Sequence, residues 1–179
     1  MITFVTGNRN KAEEAAEFFK GITEINHVSF DAVEPQSDNC GDVARAKAEQ
    51  AYDALKIPVI ADDTGFFIES LNGFPGVYAS YVLDTIGISG ILHLLDKCSS
   101  RKAYFITALA YSDDLGTRVF YGRVDGIISE SPRGDKGFGY DPIFEVDGRT
   151  FAEMDIDEKN TMSHRAKALS AFKEWYIKK

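Results

Sequence analysis

The stretch ITFVTGNRNKAEEAAEFFK, residues 2–20, sets a short apolar run directly against an amphipathic one. Ile2 to Val5 reads as a strand, Thr6-Gly7-Asn8 as a turn, and Lys11 to Lys20 as a helix. Ala12, Ala15, Ala16 and Phe19 share one face of that helix, at the spacing of a core-facing stripe. Asn8 or Asn10 caps it, because a short side-chain oxygen satisfies amides that the first turn leaves free. A glycine turn between strand and helix is where α/β proteins hold phosphates, on free amides and the positive end of the helix dipole. The turn matches neither GxxxxGK[ST] nor GxGxxG. The fold class is legible here; the ligand is not.

Outward from this unit, His27 to Val33 reads as a second strand that ends at Glu34-Pro35-Gln36. Asp38 or Asn39 caps a helix to about Leu55, with Val43, Ala46, Gln50, Ala51 and Ala54 inward. Pro58 to Ala61 is a short buried strand ending at Asp62-Asp63; Phe66 to Ile68 continues it, and Gly73-Phe74-Pro75-Gly76 is a loop. Ile88, Ile91, Leu92 and Leu95 define a helix before the break at Cys98-Ser99-Ser100. Ala103 to Tyr111 is apolar on both faces and therefore a central strand. Asp113 to Gly116 turns it into Thr117 to Ile128, a long hairpin. Ser131 to Pro142 is a Gly- and Pro-rich loop, and a last helix runs from about Asn160 to Tyr176 with Ala166, Leu169 and Phe172 inward. Strand–helix alternation followed by a long hairpin predicts an α/β fold, a mixed sheet with flanking helices. A hairpin of that length extends into a second lobe, and the cleft between lobes is the natural place for a small molecule.

The 179 residues suit one domain made of two closely packed lobes, residues 1–179. With 44% hydrophobic and 12% aromatic residues the chain can build a core, which argues against disorder. A net charge of −8 argues against a broad nucleic-acid surface, which requires a basic face. A small anion stays open if local cations or a metal ion offset the acidic background. Cys40 and Cys98 stand alone, without CxxC, and suggest neither a disulfide framework nor a zinc site. No targeting segment precedes the first strand, and no apolar run nears the roughly 20 residues of a membrane span. The expectation is a soluble, cytoplasmic protein of a reducing compartment, with no membrane partner.

Three polar clusters carry chemistry. Thr6-Gly7-Asn8 with Lys11 can hold phosphate oxygens, or can be a plain capped joint. In Ala61-Asp62-Asp63-Thr64-Gly65, adjacent carboxylates at the end of a buried strand have to be solvated, paired or metal-bound. Side chains alternate along a strand, so only one of the pair looks into the cleft. Such oxygens suit Mg²⁺, and Glu34 can add a second carboxylate. The densest cluster runs from Ser131-Pro132-Arg133-Gly134 through Phe138-Gly139-Tyr140-Asp141-Pro142 to Lys159 and Ser163-His164-Arg165. Aromatics between glycines make stacking surfaces for a base. Lys159 can reach a phosphate; His164 and Arg165 can donate to a base carbonyl, or be the solvated first turn of a helix.

These motifs, with Gly73-Phe74-Pro75-Gly76-Val77-Tyr78, Phe151-Ala152-Glu153-Met154 and Glu158-Lys159-Asn160, resemble in order the inosine triphosphate pyrophosphatase family. The resemblance covers nearly the whole chain. It implies a two-lobed fold with an elongated central mixed sheet, a homodimer, and Mg²⁺-dependent hydrolysis of ITP, dITP and XTP to monophosphate and pyrophosphate. It also implies that Thr6, Gly7, Asn8, Arg9, Asn10 and Lys11 bind the triphosphate. By the same resemblance Glu34 and Asp63 hold the metal, Asp63 accepts the proton of the attacking water, and Thr64 stands beside the phosphates. Phe138, Gly139, Tyr140, Asp141, Lys159, His164 and Arg165 would hold the nucleotide, with Tyr140 where some members carry Trp.

The chemistry agrees with these residue types. Cleavage at the α-phosphorus needs an in-line water, a base, and positive charge on the leaving pyrophosphate. Asp63 beside Mg²⁺ meets the first needs; Lys11, Lys159 and the helix start meet the last. A guanidinium at Arg165 pointed at position 6 favours a 6-oxo purine over adenine. Two other readings are a Maf-type pyrophosphatase acting on pyrimidine or modified nucleotides, and a non-catalytic nucleotide-binding protein. The presence of Asp62, Asp63 and Glu34 argues against the second, and Ser163-His164-Arg165 against the first.

Overall fold

The order of strands in the sheet follows from which of them are apolar on both faces. In the computed structural model, which describes residues 1–179, β3 (Val59–Ile68) and β5 (Lys102–Asp113) lie at the centre. Outward on one side come β1 (Ile2–Val5) and β2 (Ile25–Val28); on the other come β6 (Gly116–Ile128), β7 (Phe144–Val146) and β8 (Arg149–Thr150). β1 runs parallel to β2 and β3, and the remaining pairs are antiparallel, including β4 (Pro75–Gly76) against β3. The helices are α1 (Arg9–Phe18), α2 (Cys40–Leu55), α3 (Ala79–Thr85), α4 (Gly87–Leu94), α5 (Ile156–Met162) and α6 (His164–Tyr176). None is long and apolar enough to cross a membrane. This is the mixed α/β sheet with flanking helices that the sequence pattern predicts.

Alternation along β3 divides the core. Ile60 faces α1 and α6, where it packs with Phe4, Ala15, Leu109, Leu169 and Phe172. Val59 and Ala61 face α2, against Ala44, Ala48 and Ala51. Farther along, Phe66 and Ile68 join Ile91, Leu95, Phe105, Phe144 and Phe151 in a third cluster. The β5–β6 hairpin, paired from Lys102↔Ile127 to Asp113↔Gly116, links the first two clusters to the third.

Several boundaries differ from the sequence reading, each for a packing reason. Asn8, not Asn10, caps α1, accepting from the amides of Asn10 and Lys11. Asn39 caps α2, whose buried stripe is Val43, Ala44, Ala48 and Ala51; Ala46 and Gln50 are half-buried and Ala54 is exposed. The stripe rotates because small residues allow α2 to lie against Ala61, Ala108 and Ala110. β2 covers Ile25–Val28 rather than His27 to Val33, because its only partner is the short β1. β3 does not stop at Asp62-Asp63: it pairs with β5 without interruption from Val59↔Ser112 to Ile68↔Ala103. Pairing to a central strand overrides the low strand preference of Asp. The last helix is divided at Ser163, whose hydroxyl accepts from the Ala166 amide and starts α6 afresh. The short α3 has no side-chain cap to announce it.

A gap in the sheet positions the site. β1 pairs with β3 at Val59 and Ile60, and β4 pairs on at Phe66 and Phe67. Between them Asp62, Asp63 and Thr64 keep their partners on β5 while their other edge is open. Gly122 contributes from β6: a Cβ there would run into the His164 carbonyl and the Ala168 amide. A glycine therefore lets the start of α6 seat directly on the sheet.

Candidate active site

The gap opens into a cleft of about 330 Å³. Its floor is Asp63 and Thr64, one rim is Thr6, Gly7, Asn8 and Lys11, and Glu34 and Lys47 close the α2 side. Phe138, Gly139, Tyr140, Asp141, Lys159, His164 and Arg165 line the opposite side with Val77, Ala79, Ser80, Leu83 and Phe105. The cleft thus gathers most of the site residues named from the sequence. Arg9 and Asn10 are outside it: Arg9 lies on the surface, paired with Glu13 at 3.0 Å, and Asn10 borders a neighbouring pocket behind Phe138. They follow the cap on a helix whose Lys11 face turns to the cleft.

Of the two adjacent carboxylates, Asp63 alone lines the cleft. It is 9% exposed, and its Oδ2 has no hydrogen-bond partner. Its Oδ1 lies 3.6 Å from Lys47 Nζ, which also donates to Glu34 Oε1 at 2.8 Å. Burial pushes the Asp63 carboxyl above its ordinary range, against the pull of Lys11 and Lys47.

Asp62 points to the other face. Its Oδ1 accepts from Lys11 Nζ at 2.9 Å and its Oδ2 from Arg165 Nε at 2.9 Å. Burial opposes its charge, but Lys11, Arg165 and Lys47 outweigh it and hold the carboxyl well below the usual range. The network continues inward. Arg165 Nη1 donates to Glu14 Oε2, and Nη2 to Thr64 Oγ1 at 3.3 Å. Lys159 Nζ lies 2.6 Å from Glu14 Oε1 and 2.6 Å from Asp141 Oδ2, which also accepts from the Phe138 amide at 2.8 Å. Lys11, Asp62, Arg165, Glu14, Lys159 and Asp141 therefore alternate in sign through the interior. Buried charges persist only when paired in this way. The chain ties the first turn of α1 to the Phe138–Asp141 loop and to both helices at the C-terminal end.

His164 belongs to a hydroxyl chain. Its Nδ1 is 2.6 Å from Thr107 Oγ1, which is 2.7 Å from Thr64 Oγ1, and its ring stacks on Phe105 with centroids 4.7 Å apart. Burial, then Arg165 and Lys159, hold its pKa well below the ordinary value, so the imidazole is neutral. Tyr140 donates its hydroxyl to the Ala79 carbonyl at 2.8 Å, fixing the aromatic wall to α3.

Glu14, Lys47, Thr107 and Phe105 escaped the sequence reading. Glu14 and Lys47 are charged residues within helices, where periodicity assigns them to solvent. Thr107 and Phe105 are strand residues that read as core. A signal existed only for Glu14, which lies one helical turn after Lys11 and hence on the same face.

No three His, Cys, Asp or Glu side chains come together as a metal cage. Glu34 and Asp63, joined through one ammonium, nevertheless fit Mg²⁺, which takes one or two carboxylates and completes its shell with water and phosphate. The unpartnered Asp63 Oδ2 is the observation that favours it.

Residues 2–175 match the model of the Ham1 family. The chain belongs to that family. It is 46% identical over 178 residues to a dITP/XTP pyrophosphatase of Hyperthermus butylicus, covering 98% of this chain and 94% of the relative. An inosine triphosphate pyrophosphatase 1 of Trypanosoma cruzi is 42% identical, with 96% and 90% covered. Among solved structures, a HAM1 protein of Coxiella burnetii superposes with a TM-score of 0.86 at 32% identity, over 100% of both chains. The sheet and flanking helices described above therefore have the Ham1 fold.

Proposed function

We propose that this chain hydrolyses ITP, dITP and XTP to the nucleoside monophosphate and pyrophosphate, with Mg²⁺ and as a homodimer. Membership of the Ham1 family, with curated relatives named as pyrophosphatases over nearly their whole lengths, makes it a hydrolase acting on acid anhydrides. The observation that carries the finer reading is the Asp63 carboxylate, buried, with Oδ2 lacking a hydrogen-bond partner, on a residue that lines a cleft with a cationic rim.

The triphosphate lies along Thr6 to Asn8 and Lys11 in this reading, with the base against Phe138 and Tyr140. Bound Mg²⁺ would be held by Glu34 and Asp63 and would neutralise phosphate charge and acidify water. The oxygen of water bonds to the α-phosphorus as the bond from that phosphorus to the bridging oxygen breaks. The water's proton passes to Asp63, the one of the two carboxylates that lines the cleft, whereas both oxygens of Asp62 are engaged by Lys11 and Arg165. Lys11 meets the charge that develops on the leaving pyrophosphate. Neutral His164 and the remaining N–H groups of Arg165 face the base edge, where they favour a 6-oxo group over the 6-amino group of adenine. The test is pyrophosphate release from a nucleotide panel with and without Mg²⁺, with products followed by anion-exchange chromatography. IMP and pyrophosphate are expected from ITP; an IDP peak that rises and falls would refute this cleavage position.

A further inference from the structure

Lys47 stands between the two carboxylates assigned to the metal. Its ammonium is 2.8 Å from Glu34 Oε1 and 3.6 Å from Asp63 Oδ1, at the end of a side chain that is 18% exposed. The neighbouring cations are engaged elsewhere. Lys11 and Arg165 serve Asp62, and Lys159 serves Glu14 and Asp141. The Asp63 side chain is 13% exposed and that of Glu34 56%, and two carboxylates brought this close to one position repel each other unless a cation lies between them.

We propose that Lys47 is a placeholder cation. In the nucleotide-free protein its ammonium occupies the position between Glu34 and Asp63, and a divalent cation binds there only by displacing it. The proposal rests on the metal assignment made under the proposed function. An ammonium and a divalent cation that both bind these oxygens cannot share the position. The four-carbon stem lets the displaced group swing aside without movement of α2. The cleft that both Lys47 and Asp63 line then offers it the oxygens of a triphosphate. Metal without nucleotide should accordingly bind weakly, because its affinity is reduced by the fraction of molecules in which Lys47 is out of the way. Metal and triphosphate should each strengthen the other's binding, since the nucleotide gives the ammonium a new partner.

The test is Mn²⁺ binding without nucleotide, read from the electron paramagnetic resonance signal of the free ion. Lys47→Met should bind Mn²⁺ about tenfold more tightly than wild type, as expected if the ammonium holds the position nine-tenths of the time. The double variant Lys47→Met/Asp63→Asn should lose that gain. Equal or weaker Mn²⁺ binding in Lys47→Met, a gain that survives in the double variant, or no binding by either protein would each overturn the proposal. Should Lys47→Met fail to fold, wild-type crystals soaked in Mn²⁺ give the same decision. An anomalous peak bonded to Glu34 and Asp63, with Lys47 swung away, is expected; Lys47 still bridging the carboxylates with Mn²⁺ elsewhere refutes it. A protein that shows this metal pattern but does not cleave ITP would lose the substrate assignment alone. An active enzyme with unchanged Mn²⁺ affinity would lose the placeholder alone.

Discussion

Asp62 and Asp63 are consecutive in β3 and have opposite electrostatic fates. Asp62 is enclosed by Lys11 and Arg165 and held ionised, whereas one oxygen of Asp63 has no partner and its carboxyl is pushed up by burial. The cause is the period-2 alternation of a strand that continues through both residues with one edge open. One carboxylate joins the interior network and its neighbour faces the cleft.

Substituting each by Asn should separate chemistry from stability. Asp63→Asn should lower turnover of ITP by about 10²–10⁴-fold, the range for losing a positioned base, while urea unfolding changes little. Asp62→Asn breaks a fully buried pairing with two cations and should cost about 3–5 kcal/mol of stability. If Asp63→Asn cleaves ITP within a few-fold of wild type, Asp63 is not the base.

Gly7 offers a test of where the phosphates lie. A Cβ at this position would meet nothing within 4 Å in the protein, so Gly7→Ala should fold normally. Any loss must come from a ligand that approaches the backbone there. The expected result is a KM for ITP raised about tenfold, roughly one lost polar contact, with an unchanged melting temperature. An unchanged KM would move the triphosphate away from this turn.

The first strand–turn–helix, the long hairpin and the cleft-facing carboxylate were legible because each rests on local rules: periodicity, a cap and strand alternation. The roles of Glu14 and Lys47 were not. Their burial arises from partners distant in the chain, Arg165 and Lys159 for Glu14 and Asp63 for Lys47, and no window of sequence displays that. The same holds for Gly122, whose need for a missing side chain appears only when α6 packs on β6. Arg9 and Asn10 show the opposite limit: a motif read as a block includes residues that α1 sets outside the cleft.

His164 predicts how stability depends on pH. Its folded pKa lies well below the unfolded value of about 6.5, because burial and then Arg165 and Lys159 oppose its charge. Above that unfolded value neither state carries the proton and the stability is fully present. As pH falls below it, the unfolded chain takes up a proton that the folded chain refuses. Stability should then decline by up to about 1.4 kcal/mol per pH unit. Urea unfolding of wild type and His164→Asn between pH 7 and pH 5 checks this: the variant should lose up to one proton's worth of slope. Parallel curves would show that His164 charges freely in the folded protein.

The proposed base preference rests on Arg165, which the structure places under more constraint than the sequence suggests. Its Nε and both terminal nitrogens are engaged by Asp62, Glu14 and Thr64, so only the remaining N–H groups can reach a base. Arg165→Ala would leave Asp62 short of one partner and Glu14 with Lys159 alone, and its effect on activity would be mixed with unfolding. Arg165→Lys is the informative change. It keeps one positive charge in the network but lacks the planar fork that serves several acceptors at once. Losing a charge-assisted hydrogen bond to the 6-oxo group costs about 1.5–3 kcal/mol, which is about tenfold to a hundredfold in kcat/KM for ITP. ATP, with an amino group at that position, has no such bond to lose and should change much less. The ITP-to-ATP ratio should therefore shrink in Arg165→Lys. A fall of equal size for both substrates would leave Arg165 as an anchor of the buried network with no part in choosing the base.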